Sequence, residues 1–325
     1  MFYNNHYRLP AEWEPQSGVQ LTWPHSNTDW VSMLAKIEKT YGEMAEEIRK
    51  REKLLIVGPP SNDTWARDHG FITLVGDNGQ PPLLLDFKFN GWGEKFRYNL
   101  DNALNRRLYE EKRFAGEYVD HLDFVLEGGS IESDGNGTIF TTSCCLLAPH
   151  RNQPLEKEEI EDRLKQYLCA KRVVWIDYGH LTGDDTDGHI DTLVRICPND
   201  TLLYVGCDDE NDEQYEDLHL MEEQLKSFRT LDGKPYTLVK LPMPRAIYDE
   251  DHERLPATYA NFLFMNNAVL CPTYHQPDKD AEAMKLISEV FPNRESVGID
   301  CRTVIRQHGS LHCCTMQFPE GVLIG

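Results

Sequence analysis

No run of about 18 apolar residues occurs in the 325-residue chain, so no membrane-spanning helix is expected. The first residues, Met1-Phe-Tyr-Asn-Asn-His-Tyr-Arg8, lack the apolar core of a secretion signal. The nine cysteines form no C-x-x-C pair and no zinc-ligand spacing. Their odd number cannot all pair within one chain, and the neighbours Cys144-Cys145 and Cys313-Cys314 have poor geometry for internal disulfides. Reduced thiols in a cytoplasm are the expectation. Basic residues are also scarce: 33 Lys plus Arg stand against 54 Asp plus Glu, a formal charge of -21. Such a surface repels nucleic acid and anionic membrane and draws in a cationic small molecule. No Pro/Gly/Ser-rich linker divides the chain, and 40% of it is hydrophobic, enough for a sizeable core. Residues 1–325 read as a single domain, and the composition allows a homodimer.

What is present is a repeat of segment types. Apolar spacing of three and four residues predicts helices over 30–51, 98–114, 155–170, 216–229 and 278–291. In the third, Ile160, Leu164, Tyr167 and Leu168 share a face. The fifth opens at Pro277-Asp278 and stops at Pro292. A short β-rich run follows each helix, and after each run comes a segment mixing polar and apolar residues. These segments are Thr64-Trp-Ala-Arg-Asp68, Leu126-Glu-Gly-Gly129, Thr186-Asp-Gly-His-Ile-Asp191, Tyr259-Ala-Asn-Phe262 and Gly309-Ser-Leu-His-Cys313. Their markers Trp65, Glu127, His189, Asn261 and Cys313 follow one another at 62, 62, 72 and 52 residues. Five similar α/β modules around one axis would bring these marked segments, read as strands, into one pocket. Gly76-Asp-Asn-Gly79 and Asp134-Gly-Asn-Gly137 read as hairpin turns within modules, and residues 207–213 as an acidic, solvated loop.

His189 and Asp191, two apart, face the same side if they lie on a strand. They suit an acid/base unit, a metal-ligand pair or a structural ion pair. A calcium loop fails, because Gly183 falls where an Asp is needed and Val194 where the Glu belongs. Trp65 offers a flat wall for a planar cation and Asp68 paired acceptors for its N–H groups; alternatively Arg67 and Asp68 pair and Trp65 is core. Glu127 follows Phe124-Val-Leu126, and if buried it must find a partner or a proton. Cys313 is either a buried filler or a nucleophile. Taken together the segments supply a soft nucleophile, carboxylates for a cation and a proton shuttle. That is what chemistry on a guanidinium carbon requires, since resonance makes this carbon a poor electrophile for water.

Leu9-Pro-Ala-Glu-Trp-Glu-Pro15, Trp65-Ala-Arg-Asp68, Phe89-Asn-Gly-Trp-Gly93, Leu126-Glu-Gly-Gly-Ser-Ile131, Arg151-Asn152, Thr186-Asp-Gly-His-Ile-Asp191 and Gly309-Ser-Leu-His-Cys313 resemble, in order, the agmatine deiminases and bacterial peptidyl-arginine deiminases. The resemblance implies a five-bladed α/β propeller of ββαβ-like modules. It implies that Cys313 attacks the guanidinium carbon and that His189 protonates the leaving amine and then activates water. Asp68 and Asp191 would clamp the guanidinium. Asp185 matches a substrate-contacting acid, and Trp65, Glu127, Asn261 and Trp92 match the pocket more loosely. Agmatine would yield N-carbamoylputrescine and ammonia, with no metal or organic cofactor. After the cysteine, where relatives often read Ile-Thr-Gln-Gln, this chain reads Cys314-Thr-Met-Gln317. Free arginine and peptidyl-arginine are the alternative substrates. A non-catalytic guanidine-binding protein and a metal-dependent hydrolase on His189 and Asp191 are the readings from other classes. Agmatine is favoured because none of Arg67, Lys88, Lys95, Arg97 or Arg151 stands in a spacing that marks a clamp for arginine's carboxylate.

Overall fold

The computed structural model describes residues 6–324. Five small sheets share one plan: a strand pairs antiparallel with a second, which pairs parallel with a third across a helical connection. In the first blade Thr315–Pro319 pairs with Gln16–Thr22, which runs beside Lys53–Val57 across the helix Leu34–Arg49. The next sets are Ile72–Gly76, Leu83–Lys88 and Glu117–Val125, then Ile131–Ser133, Thr138–Thr142 and Arg172–Ile176. Val194–Cys197, Thr201–Val205 and Thr237–Leu241 form the fourth, and Leu263–Phe264, Ala268–Thr273 and Glu295–Asp300 the fifth. This is the five-bladed α/β propeller. The first blade joins the two ends of the chain, so strand pairing closes the ring.

The helices form where the apolar spacing placed them. Ile37, Tyr41, Met44, Ala45 and Ile48 line the buried face of Leu34–Arg49. Burying each large apolar side chain stabilises the fold by roughly 1.5–3 kcal/mol. The helix Lys157–Tyr167 starts at a capping box of Glu156 and Glu159, which satisfies two free N–H groups at its end. Helices Tyr215–Ser227 and Pro277–Val290 complete the set. The second expected helix is much shorter than 98–114. Only a 3-10 turn, Asp101–Ala103, and the helix Leu104–Glu110 form there. The buried Asp101 carboxylate accepts from the backbone N–H groups of Asn62 (2.6 Å) and Asp63 (3.0 Å), so this stretch braces the loop ahead of Trp65. Both hairpins form, across 77–82 and 134–137.

The motif segments are not strands. Ala66–His69 is one helical turn, and Gly128–Ser130, Ile190–Thr192 and His312–Cys314 are 3-10 turns, each just before the first strand of its blade. Local side-chain bonds favour the turn. The Ser130 hydroxyl donates to Glu127 O (2.6 Å), the Thr192 hydroxyl to His189 O (2.8 Å) and the Thr315 hydroxyl to His312 O (2.9 Å). Cys313 and Cys314 therefore diverge because successive residues of a 3-10 turn lie roughly 120° apart, not because they alternate on a strand.

Candidate active site

Where the turns meet, a cavity of about 240 Å³ opens, lined by Asp29, Asp63, Trp65, Asp68, Trp92, Phe96, Asp185, Thr186, residues 307–309 and Cys313. No lysine or arginine is among these lining residues. His189, Asp191, Asn261 and Glu127 are fully buried. They reach the cavity through the residues they touch. Cys313 Sγ is 3.4 Å from Asn261 Oδ1 and 3.7 Å from Asp191 Oδ2. His189 Nδ1 is 3.6 Å from Asp68 Oδ1. The backbone N–H of Gly129 (3.0 Å) and the indole N–H of Trp92 (2.9 Å) donate to Asp68. A methyl group on Gly129 would stand 2.6 Å from His189 Nδ1, 2.9 Å from Asp68 Oδ1 and 3.1 Å from Asp191 Oδ2. Only glycine allows those three groups to converge. Trp92 has φ 56°, in the left-handed region, within the 91–94 turn that swings its ring toward Asp68.

Burial pulls the His189 imidazole down, but Asp68, Cys145 and Glu127 outweigh it and hold His189 well above the ordinary histidine value. Burial lifts Asp68 to about 6 against the pull of His189; at neutral pH the pair is imidazolium and carboxylate. Burial, then Asp191 and Asp68, push the Cys313 thiol well above its usual range. Burial works against the Asp191 carboxylate as well, but the hydrogen bond from His312 and the nearby cations keep its pKa low. Burial and the neighbouring Asp29 lift Asp63 to about 7. Asp191 Oδ1 and both ring nitrogens of His189 are buried without a hydrogen-bond partner among the described residues. Such groups are costly to leave unmet: Asp191 Oδ1 marks where a ligand N–H fits, and the His189 N–H groups mark where a lone pair or a departing nitrogen fits.

Several supporting residues stand inside or near the quoted motifs, but the sequence did not assign their partners. His312 Nδ1 donates to Asp191 Oδ2 (2.7 Å), and His312 Nε2 faces Glu12 Oε2 at 2.9 Å. Glu12 also accepts from Arg67 (2.8 Å) and Arg195 (2.6 Å), and Arg195 reaches Glu132 at 2.5 Å. Arg67 thus pairs with Glu12 and not with Asp68, because the helical turn at 66–69 sends the two side chains apart. Arg67 also contacts Met316 and Gln317, so the departure from the usual letters after the cysteine lies against Arg67 and not among the cavity-lining residues. Glu127 is bound by Arg151 Nε (3.1 Å), whose terminal nitrogens go to Asp187 and Thr186 O. Lys95 is likewise committed to Asp187 (2.8 Å) and Asp185 O (2.7 Å).

The model of the Porphyromonas-type peptidyl-arginine deiminase family matches residues 8–319. The chain belongs to that family. This member is 31% identical to an agmatine deiminase of Pseudomonas aeruginosa, over 96% of this chain and 95% of that one. Its fold matches that of a cysteine-to-serine variant of the C. jejuni agmatine deiminase with substrate bound, at 38% identity, TM-score 0.91 and 99% of each chain. It also matches a provisionally named arginine deiminase of Porphyromonas gingivalis at 47% identity and TM-score 0.93, over 98% of this chain and 100% of that one. Among the described residues no helix is long and apolar enough to cross a membrane.

Proposed function

We propose that this chain is an agmatine deiminase, its five blades acting as one catalytic domain, which converts agmatine to N-carbamoylputrescine and ammonia. The observation that carries this reading is the cavity itself. Four aspartates line it with Cys313, no lysine or arginine joins them, and the nearby cations Arg151 and Lys95 are already paired. A dication is held there. Arginine would bring its carboxylate among Asp29, Asp63 and Asp185, at a cost on the order of one to several kcal/mol. About 1.4 kcal/mol is already tenfold in specificity.

The guanidinium donates to Asp68 and to the free Oδ1 of Asp191, with Trp65 and Trp92 as walls. Its positive charge offsets the two carboxylates that keep Cys313 neutral, so binding favours the thiolate and the thiol proton leaves to solvent. The thiolate sulfur bonds to the guanidinium carbon. The His189 imidazolium protonates the departing nitrogen, the C–N bond breaks and ammonia leaves. His189, now neutral, takes a proton from water, and the resulting hydroxide attacks the S-amidino carbon. The C–S bond breaks, the hydroxyl proton passes to the departing sulfur as the carbonyl forms, and the ureido product is released. Asn261 orients Cys313 by accepting from its backbone N–H (3.3 Å). Asp185 faces the distal ammonium from the cavity lining, and Glu127, expected to contact the substrate, acts through His189 by helping to keep it protonated. All nine cysteines are free, which supports a cytoplasmic setting.

Side-by-side assays of ureido product from agmatine, arginine and an arginine peptide test the reading. Agmatine is expected to lead by at least tenfold in kcat/KM. Equal values, or a preference for arginine or its peptide, overturn the substrate and leave the deiminase chemistry standing.

A further inference from the structure

Of the buried thiols other than Cys313, Cys145 stands beside His189. Cys145 sits in the short helix Ser143–Leu146, fully buried, while its neighbour Cys144 faces solvent. The Thr142 hydroxyl caps this helix at Cys145 N (3.3 Å) and donates to Gly188 O (2.6 Å), locking the helix to the loop that carries His189. One ligand atom each from Glu127, Cys145 and His189 lies within 4.8 Å of the other two. Neither ring nitrogen of His189 is held in a well-formed hydrogen bond, so once the imidazolium proton is lost one of them can bind a metal. Glu127 is fixed by Arg151 through Nε alone, which leaves acceptor capacity on the carboxylate.

We propose that Glu127, Cys145 and His189 form a binding site for a thiophilic divalent cation of the zinc or cadmium kind, and that its occupancy switches the enzyme off. One carboxylate oxygen, one thiolate sulfur and one imidazole nitrogen are ligands zinc accepts, with water completing the tetrahedron. In such a site the bonds are about 2.0–2.3 Å, so the three side chains need only a small inward shift. Binding releases the thiol proton and the imidazolium proton to water. Carboxylate and thiolate balance the charge of the cation, while Arg151 still balances Asp187. The cation consumes the lone pair with which His189 accepts a proton from water, so turnover stops. The rival location is Cys313, which a soft cation could also reach. There the partners of the sulfur are Asp191 and Asn261, and Cys145 has no part.

The experiment separates the two locations, and its binding arm does not depend on the substrate reading. Zinc binding to Cys313→Ala and to Cys313→Ala/Cys145→Ser is measured by equilibrium dialysis, with cobalt added separately to read the sulfur-to-metal charge-transfer absorption. Inhibition of agmatine turnover by zinc is measured on the unmodified chain and on Cys145→Ser, each relative to its own zinc-free turnover, with circular dichroism reporting that the variant folds. The expected result is one zinc per chain and the cobalt absorption in Cys313→Ala, both lost in the double variant. Inhibition reversed by EDTA should need at least tenfold more zinc in Cys145→Ser. Zinc binding that disappears in Cys313→Ala, or inhibition unchanged by Cys145→Ser, overturns the site.

Discussion

Two buried polar regions meet at Asp191 and are built on opposite rules. On one side, Glu12, Arg67, Arg195, Glu132 and His312 pair with one another, and Arg195 adds two backbone carbonyls and the face of Phe262. On the other side, Asp191 Oδ1, His189 and the cavity aspartates have more charge than partners. A buried charge with its full set of partners is rigid, and one lacking them is costly until a ligand arrives. Asp191 belongs to both: His312 fixes Oδ2 while Oδ1 stays free. The paired side is a frame and the unpaired side is the place for a cation.

Frame and cavity differ most at the nucleophile. Cys313→Ala should lower agmatine turnover by at least about 10³-fold, because the covalent route is lost. Cys314→Ala should retain turnover within a few-fold and lose stability, since Cys314 is fully buried outside the cavity lining. Mass spectrometry of a trapped amidino adduct should find it on Cys313; an adduct on Cys314 sinks the assignment. The next pair sets activity against stability. Arg195→Met removes one partner from the frame and should cost about 3–5 kcal/mol in denaturant unfolding. Asp68→Asn should abolish most turnover and cost far less stability, because burial already works against its charge. Equal stability losses in the two variants would mean that frame and cavity are held by the same rule.

The pH dependence should run in opposite directions for folding and for binding. Asp68 and Asp63 titrate in the folded chain at about 6 and about 7, above their ordinary value. Their contribution to stability is therefore complete below about pH 4 and is lost as pH rises through 6–7. Binding of the dication needs the carboxylates charged, so kcat/KM for agmatine should rise over the same window. Unfolding of Cys313→Ala with and without agmatine, followed from pH 5 to 8 alongside kcat/KM of the unmodified chain, checks both slopes. Parallel slopes would refute the argument. The smallest effect concerns long-range charge. Raising salt from about 0.05 to 0.3 M should slow agmatine capture a few-fold and arginine capture less, since screening weakens the pull of the -21 chain on a dication more.

The repeat was legible in the letters because apolar periodicity survives without knowing any contact. All five helices and the β-run after each of them occur where that periodicity put them, with one helix shortened by the demand on Asp101. The marked residues were legible as types, a thiol, an imidazole and several acids at steps near 60. Their local shape was not. A Ser or Thr hydroxyl bonding back to a carbonyl three residues away turns a motif into a 3-10 turn, and a two-residue period cannot reveal that.

By itself the sequence determined the blade pattern, the acidic charge and the thiol, because these depend on residue type and near-neighbour spacing. Tertiary structure alone decided the partners. Glu12 reaches His312 across 300 residues, and Arg195 reaches Glu12 across 183. Cys145 comes beside His189 across the blades, where a threonine hydroxyl ties its helix to the loop before His189. The physical reason is the ring closure: a turn from every blade ends near one axis, so neighbours there are set by rotation about the axis and not by distance along the chain.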